Sequence, residues 1–155
     1  MRTTHIAAGI VLAAALAGVF VLAGGDPRSG APEKAAVALH KSAACGCCGV
    51  YGSYLRREGY GVEVHNTNDL AAKKRELGVP RELESCHTSE VGGYVVEGHV
   101  PEEAIAKLLQ EKPDIVGIGM GGMPSGSPGM PGPKQGPFVI YEIGRGSLGG
   151  VFMTL

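Results

Sequence analysis

Residues 35–59, AAVALHKSAACGCCGVYGSYLRREG, decide the architecture. Ala35 to His40 is a short apolar run of the kind that forms a buried strand. It leads directly into Cys45-Gly46-Cys47-Cys48. From there Val50, Tyr51, Tyr54 and Leu55 recur at helical spacing until Gly59 supplies a stop. The stretch therefore reads as a strand feeding a helix whose first turn carries three thiols.

Downstream, Val62-Glu63-Val64-His65 alternates like a second strand. Asn68 or Asp69 caps a helix over LAAKKREL, which ends at Gly78 before Pro80. Within it the charge run Lys73-Lys74-Arg75-Glu76 reads as a solvated face. Residues 92–97 (GGYVVE) read as a third strand and Gly98-His99 as its turn. Pro101 then takes the first position of a helix, PEEAIAKLLQEK, with acids in its first turn, Lys112 near its end and Ala104, Ile105, Leu108 and Leu109 on one face. This alternation is the order of a small α/β sheet with helices packed on it. Residues 117–137 (GIGMGGMPSGSPGMPGPKQGP) are too rich in Gly and Pro for regular structure and read as a long Gly/Met/Pro loop. Residues 138–143 and 150–154 read as a C-terminal β-hairpin.

The 155-residue chain suits one domain once a leader is set aside. Its 14 Lys+Arg against 15 Asp+Glu give no field that would draw nucleic acid or an anionic membrane. Trp is absent and aromatics make up only 5%, so the core must come from Val, Ile, Leu and Ala. The chain carries no G-x-S-x-G, H-E-x-x-H or phosphate loop, which leaves hydrolase and nucleotide-dependent readings without support.

At the N-terminus, Arg2 and a short polar stretch precede an uncharged apolar run from Ile6 to Ala23. Residues 1–24 read as a secretory signal cleaved near Gly24, or as a membrane anchor if uncut. Residues 25–34 read as a solvated linker and 35–155 as the working domain. Either form of the leader exports the domain, to a compartment where thiols oxidise readily. Four cysteines there imply disulfides, a redox site or a metal site.

Cys45 and Cys48 have C-x-x-C spacing and share one face of a first helical turn. The unpaired N–H groups and positive end of the helix favour thiolate there. Cys47 adds a third sulfur that ordinary dithiol exchange does not need. Soft thiolates select copper(I), zinc or iron–sulfur clusters. Zinc usually takes separated ligand pairs, and exposure to oxidants disfavours an iron–sulfur cluster. Crowded sulfurs suit trigonal copper(I), or a cluster in which sulfurs bridge several ions.

The fourth cysteine, Cys86, can fold beside the helix start, with His87 as a ligand or an orienting group. Redox dithiol chemistry at Cys45/Cys48 remains open, as do inert disulfides joining those two or Cys86 to the trio. Met120, Met123 and Met130 are further thioether candidates, although the first two also serve as apolar pins for a long loop. His40, His65 and His99 carry no more than the ordinary claim of a lone histidine, to a surface or hydrogen-bonded role.

Four stretches in this order carry a resemblance: the CxCC after a strand, Glu84-Ser85-Cys86-His87-Thr88, Glu97-Gly98-His99-Val100-Pro101 and the Met123–Met130 run MPSGSPGM. Together they resemble the bacterial family of unknown function 411 (DUF411), with its CopG-like periplasmic copper-binding proteins, over roughly Val37 to Met130. The resemblance implies a thioredoxin-like single domain with Cys45, Cys47, Cys48 and Cys86 forming a copper site. It also implies a role in copper resistance, with copper ions and other periplasmic copper-handling proteins as partners. As an enzyme the chain would be a copper-dependent oxidoreductase interconverting Cu(I) and Cu(II). The alternatives are a thiol–disulfide oxidoreductase using Cys45/Cys48 and a passive metal chaperone. One departure from thioredoxin is visible: Pro80 lies well upstream of the strand that should face the redox pair, and Cys86-His87 stands there instead.

Overall fold

The computed structural model describes residues 34–155. The expected leader, and the linker up to residue 33, lie outside the described residues. Lys34 already belongs to the first strand, β1 (Lys34–Lys41), which buries Val37, Leu39 and Lys41 on alternate positions. Helix α1 (Gly46–Arg57) buries Cys48, Tyr51, Gly52 and Leu55, the i, i+3, i+4, i+7 stripe of a helix lying on a sheet. Strand β2 (Tyr60–Asn66) returns parallel to β1 in a β–α–β unit. Helix α2 (Leu70–Glu76) is capped by Asp69, whose carboxylate accepts the Ala72 N–H at 2.8 Å.

The third strand region differs from expectation. It is two antiparallel strands, β3 (His87–Val91) and β4 (Tyr94–Glu97), turned at Gly92 and Gly93, both at positive φ. Strand β3 reads His-Thr-Ser-Glu-Val and shows no apolar alternation, yet its first three residues are buried. Thr88 is buried against the polar groups of Lys74 and Glu97 and His87 against the Tyr51 ring. Helix α3 (Glu102–Glu111) follows, with Pro101 at its N-cap, one position outside the place expected. It buries Ala104, Ile105 and Leu108.

Residues 117–119 were expected to be irregular but form a short buried strand, β5 (Gly117–Gly119), parallel to β4. A Cβ on Gly117 would stand 1.9 Å from the Val95 carbonyl oxygen, so close approach of the backbones dictates glycine there. Strands β6 (Val139–Ile143) and β7 (Leu148–Thr154) pair antiparallel and complete a seven-stranded mixed sheet, ordered β2-β1-β3-β4-β5-β6-β7.

Side chains of α1 and α3 share the main core with Val37, Leu39, Val91, Val96 and Ile118. Val95 points the other way, into a smaller cluster with Val79, Leu83 and Ile143. The chain is thus an α/β domain with apolar packing on both faces of one sheet. Lys74 corrects the reading of α2 as a plainly solvated face. Only 3% of it is exposed, and its ammonium pairs with the fully buried Glu97 and donates to Thr88 Oγ1 at 3.0 Å. Among the described residues no helix is long and apolar enough to cross a membrane.

Candidate metal centre

Four chain segments meet at one edge of the sheet. The end of β1 leads into α1, and β3 runs antiparallel to β1 with Lys41 opposite His87, so Cys86 arrives beside the start of α1. Thr88 faces Glu97 across β3 and β4, and continuing that register by two residues sets His99 opposite Cys86. The loop after β5 closes the edge from above.

The result is a compact ring of sulfur. Cys45 and Cys48 form a disulfide with their Cα atoms 5.5 Å apart. Cys47 Sγ lies 3.5 Å from Cys45 Sγ and 3.7 Å from Cys86 Sγ, and Cys86 Sγ lies 3.4 Å from Cys48 Sγ. All four sulfurs fall within 4.8 Å of one another. Cys48 is buried, whereas Cys45, Cys47 and Cys86 are partly exposed. Cys45 takes the N-cap position of α1 with extended backbone, which places Cys47 and Cys48 in the first turn among its free N–H groups.

Cys86 receives no such help. Burial, and then the neighbouring Cys47, push its thiol up to about 11. It holds its proton at neutral pH, so a cation binding there must displace that proton.

Two imidazoles back the sulfurs. His87 Nδ1 stands 3.4 Å from Cys86 Sγ, and its buried Nε2 has no hydrogen-bond partner among the described residues. Burial, then the charges of His99 and Lys74, lower its pKa to about 3, which keeps it neutral. His99 Nδ1 is 2.7 Å from the Pro128 carbonyl, which can only accept, so Nδ1 carries the proton. The Nε2 lone pair then faces Cys86 Sγ at 3.1 Å. Burial lowers the His99 pKa as well. Cys86, His87 and His99 form a second group with ligand atoms within 4.8 Å. The Tyr51 ring packs 4.5 Å from the His87 ring and its hydroxyl donates to the Val100 carbonyl at 2.9 Å, fixing the wall behind both histidines. His87 Nδ1 and the His99 Nε2 lone pair beside crowded soft sulfurs fit a soft metal cation.

The sequence reading missed His99. The signal was the Gly92-Gly93 turn, because a two-residue hairpin there sets the register that brings His99 to Cys86. The other residues singled out fall as follows. Met120 is buried in the main core, Met130 is half-buried and Met123 is exposed. His40 and His65 stack on each other at 5.1 Å, and His40 Nε2 bonds the Glu90 carboxylate at 2.8 Å.

The long loop is clamped to the site. Gly129, at φ +84°, packs so closely on α1 that a Cβ would lie 2.9 Å from Tyr51 N and 3.0 Å from the Cys47 carbonyl. Gly129→Ala is expected to cost about 1–3 kcal/mol and to lift the adjacent Pro128 carbonyl off His99. Thermal denaturation and the His99 imidazole NMR signals check both effects; an unshifted melting temperature would contradict the clamp.

Residues 83–130 match the family described as "Protein of unknown function, DUF411". None of the curated proteins matches the chain. Two solved structures are similar to it over most of its length. "Copper resistance protein copG- Form 2" is 40% identical, with 79% of this chain and 99% of that one covered and a TM-score of 0.73. "Copper resistance protein copG- Form 1" is 40% identical, with 79% and 98% covered and a TM-score of 0.72. With that identity over nearly the whole of the copper resistance proteins, and with the sulfur-bearing segments meeting at one sheet edge, the chain belongs to the DUF411 family, among its CopG-like members.

Proposed function

We propose that this chain is an exported copper-binding protein of copper resistance, which holds Cu(I) on the thiolates of Cys45, Cys47, Cys48 and Cys86. The observation that carries the reading is the gathering of four sulfurs within 4.8 Å at the start of one helix. His87 and His99 are neutral nitrogen donors behind Cys86, and sulfurs this close together would be shared between ions if more than one bound. Met123 follows Gly122, whose carbonyl accepts from the hydroxyl of Ser85, the neighbour of Cys86, and its exposed thioether would serve as a point of first capture. Met120 and Met130 would brace the loop, or join the ligand set if it rearranges. The periplasm is the proposed location, with the N-terminal segment removed or kept as an anchor. Copper ions and other periplasmic copper-handling proteins are the proposed partners. We read β1–α1–β2 with β3 and β4 as a thioredoxin-like core, on the strand order β2-β1-β3-β4 and the cysteines at the start of α1.

The Cys45–Cys48 disulfide favours a second, compatible reading, in which the site also interconverts Cu(I) and Cu(II). The two reduced thiolates would give one electron each to two Cu(II), forming the S–S bond and two Cu(I).

Cys47→Ser separates copper binding from plain dithiol exchange. It should weaken Cu(I) binding by at least about 10-fold and leave reduction of a model disulfide by Cys45 and Cys48 near wild type. Full copper stoichiometry and affinity in that variant would overturn the multi-thiolate site.

A further inference from the structure

The sulfurs close into a four-membered ring rather than a redox pair with two bystanders. Once Cys45 and Cys48 are joined, the two thiols left over are each other's neighbours at 3.7 Å, and both are partly exposed. A disulfide bond is about 2 Å long, so each sulfur need move by less than about 1 Å. The other way of pairing the ring, Cys45 with Cys47 and Cys48 with Cys86, would first have to break the Cys45–Cys48 bond.

We propose that Cys47 and Cys86 are a second redox pair, which closes its own disulfide when the reduced protein meets excess Cu(II), so that one chain delivers four electrons to copper. This rests on the copper reading above and names the electron source within it. Each pair of thiolates loses two electrons, one to each of two Cu(II), and forms one S–S bond. The full reaction turns four thiolates and four Cu(II) into two disulfides and four Cu(I), with the thiol protons passing to solvent.

The consequence concerns loading. Disulfide sulfur is a poor ligand, so the doubly oxidised chain retains no thiolate for Cu(I) and must release its product. Reloading then needs a dithiol reductant able to open both bonds. The second bond also ties α1 to the start of β3 across 39 residues of sequence, locking the two halves of the site together.

The test uses the full chain, reduced and held without oxygen, mixed with excess Cu(II) and the Cu(I) chelator bicinchoninate. The colour of the chelate counts Cu(I), and alkylation followed by peptide mapping reads the bonds. Four Cu(I) per chain, no alkylated cysteine and a Cys47–Cys86 cross-linked peptide are expected. Cys47→Ser and Cys86→Ser should each stop at two Cu(I), with only Cys45–Cys48 joined. Wild-type protein that stops at two Cu(I) with Cys47 and Cys86 alkylated, or that links them only between chains, overturns the proposal. A parallel Cu(I) titration of the reduced chain keeps the outcomes apart. Tight thiolate binding there leaves the copper reading standing when the second pair fails, and its absence removes the reading itself.

Discussion

Cys86→Ser is expected to lower Cu(I) affinity by about 100-fold or more while the domain stays folded. Of the four clustered cysteines, Cys86 alone comes from a segment other than the start of α1, and it touches both Cys47 and Cys48. A hydroxyl is a hard, weakly binding donor for a soft cation, so serine keeps the shape and loses the ligand. It also leaves His87 and His99 without the sulfur that both face. The side chain is only partly buried and lies just before the start of β3, so stability should change by no more than about 1 kcal/mol. Competition against a Cu(I) chelator measures the affinity, and urea unfolding measures the stability. Unchanged affinity would mean that the helix cysteines alone make the site.

The largest effect on folding is expected at Lys74. Its side chain is 4% exposed and that of its partner Glu97 is fully buried. Glu97 also accepts from Thr88 Oγ1 and from the Ser85 N–H, both at 2.6 Å. The pair therefore pins the Glu84-Ser85-Cys86 segment from the face of the sheet opposite α1. Lys74→Met leaves a buried carboxylate without its cation, at a cost of about 3–5 kcal/mol.

The sign of the pH dependence follows. Burial already raises the Glu97 pKa despite the nearby ammonium, and removing that ammonium raises it further. Above its folded pKa the group must stay charged in the interior or take up a proton. As pH falls through that folded pKa toward the unfolded value of about 4.3, the folded state binds the proton first and the penalty shrinks. The Lys74→Met deficit should thus be greatest at neutral pH and smaller near pH 5, as read from denaturant midpoints. Adding Glu97→Leu should recover most of the loss, because an apolar pair replaces a broken ionic one. A deficit that grows on acidification would contradict this account.

How legible these features were depends on what sets each residue's burial. Strand β1 and helix α1 were visible because their inward positions are apolar at strand and helix periods, and the thiols of α1 fell where the helix begins. Strand β3 was not visible, since His87 and Thr88 are polar residues buried by groups on other elements, the Tyr51 ring for His87 and Lys74 and Glu97 for Thr88. Ser89 is polar too, lying between Leu39 and Val96. Lys74 was misread for the same reason, because its partner lies 23 residues away on another element. Strand β5 was hidden by its glycines, which answer to a neighbouring backbone rather than to strand propensity. The convergence of Cys86 on α1 was open to inference from α/β topology. The place of His99 needed the hairpin register.

The central claim is most directly tested by X-ray absorption at the copper edge of the full chain, reduced and loaded with Cu(I) without oxygen. The account predicts a first shell dominated by sulfur, with a nitrogen contribution that falls in His99→Ala. A shell of oxygen and nitrogen alone, unaffected when all four cysteines are replaced by serine, would contradict it.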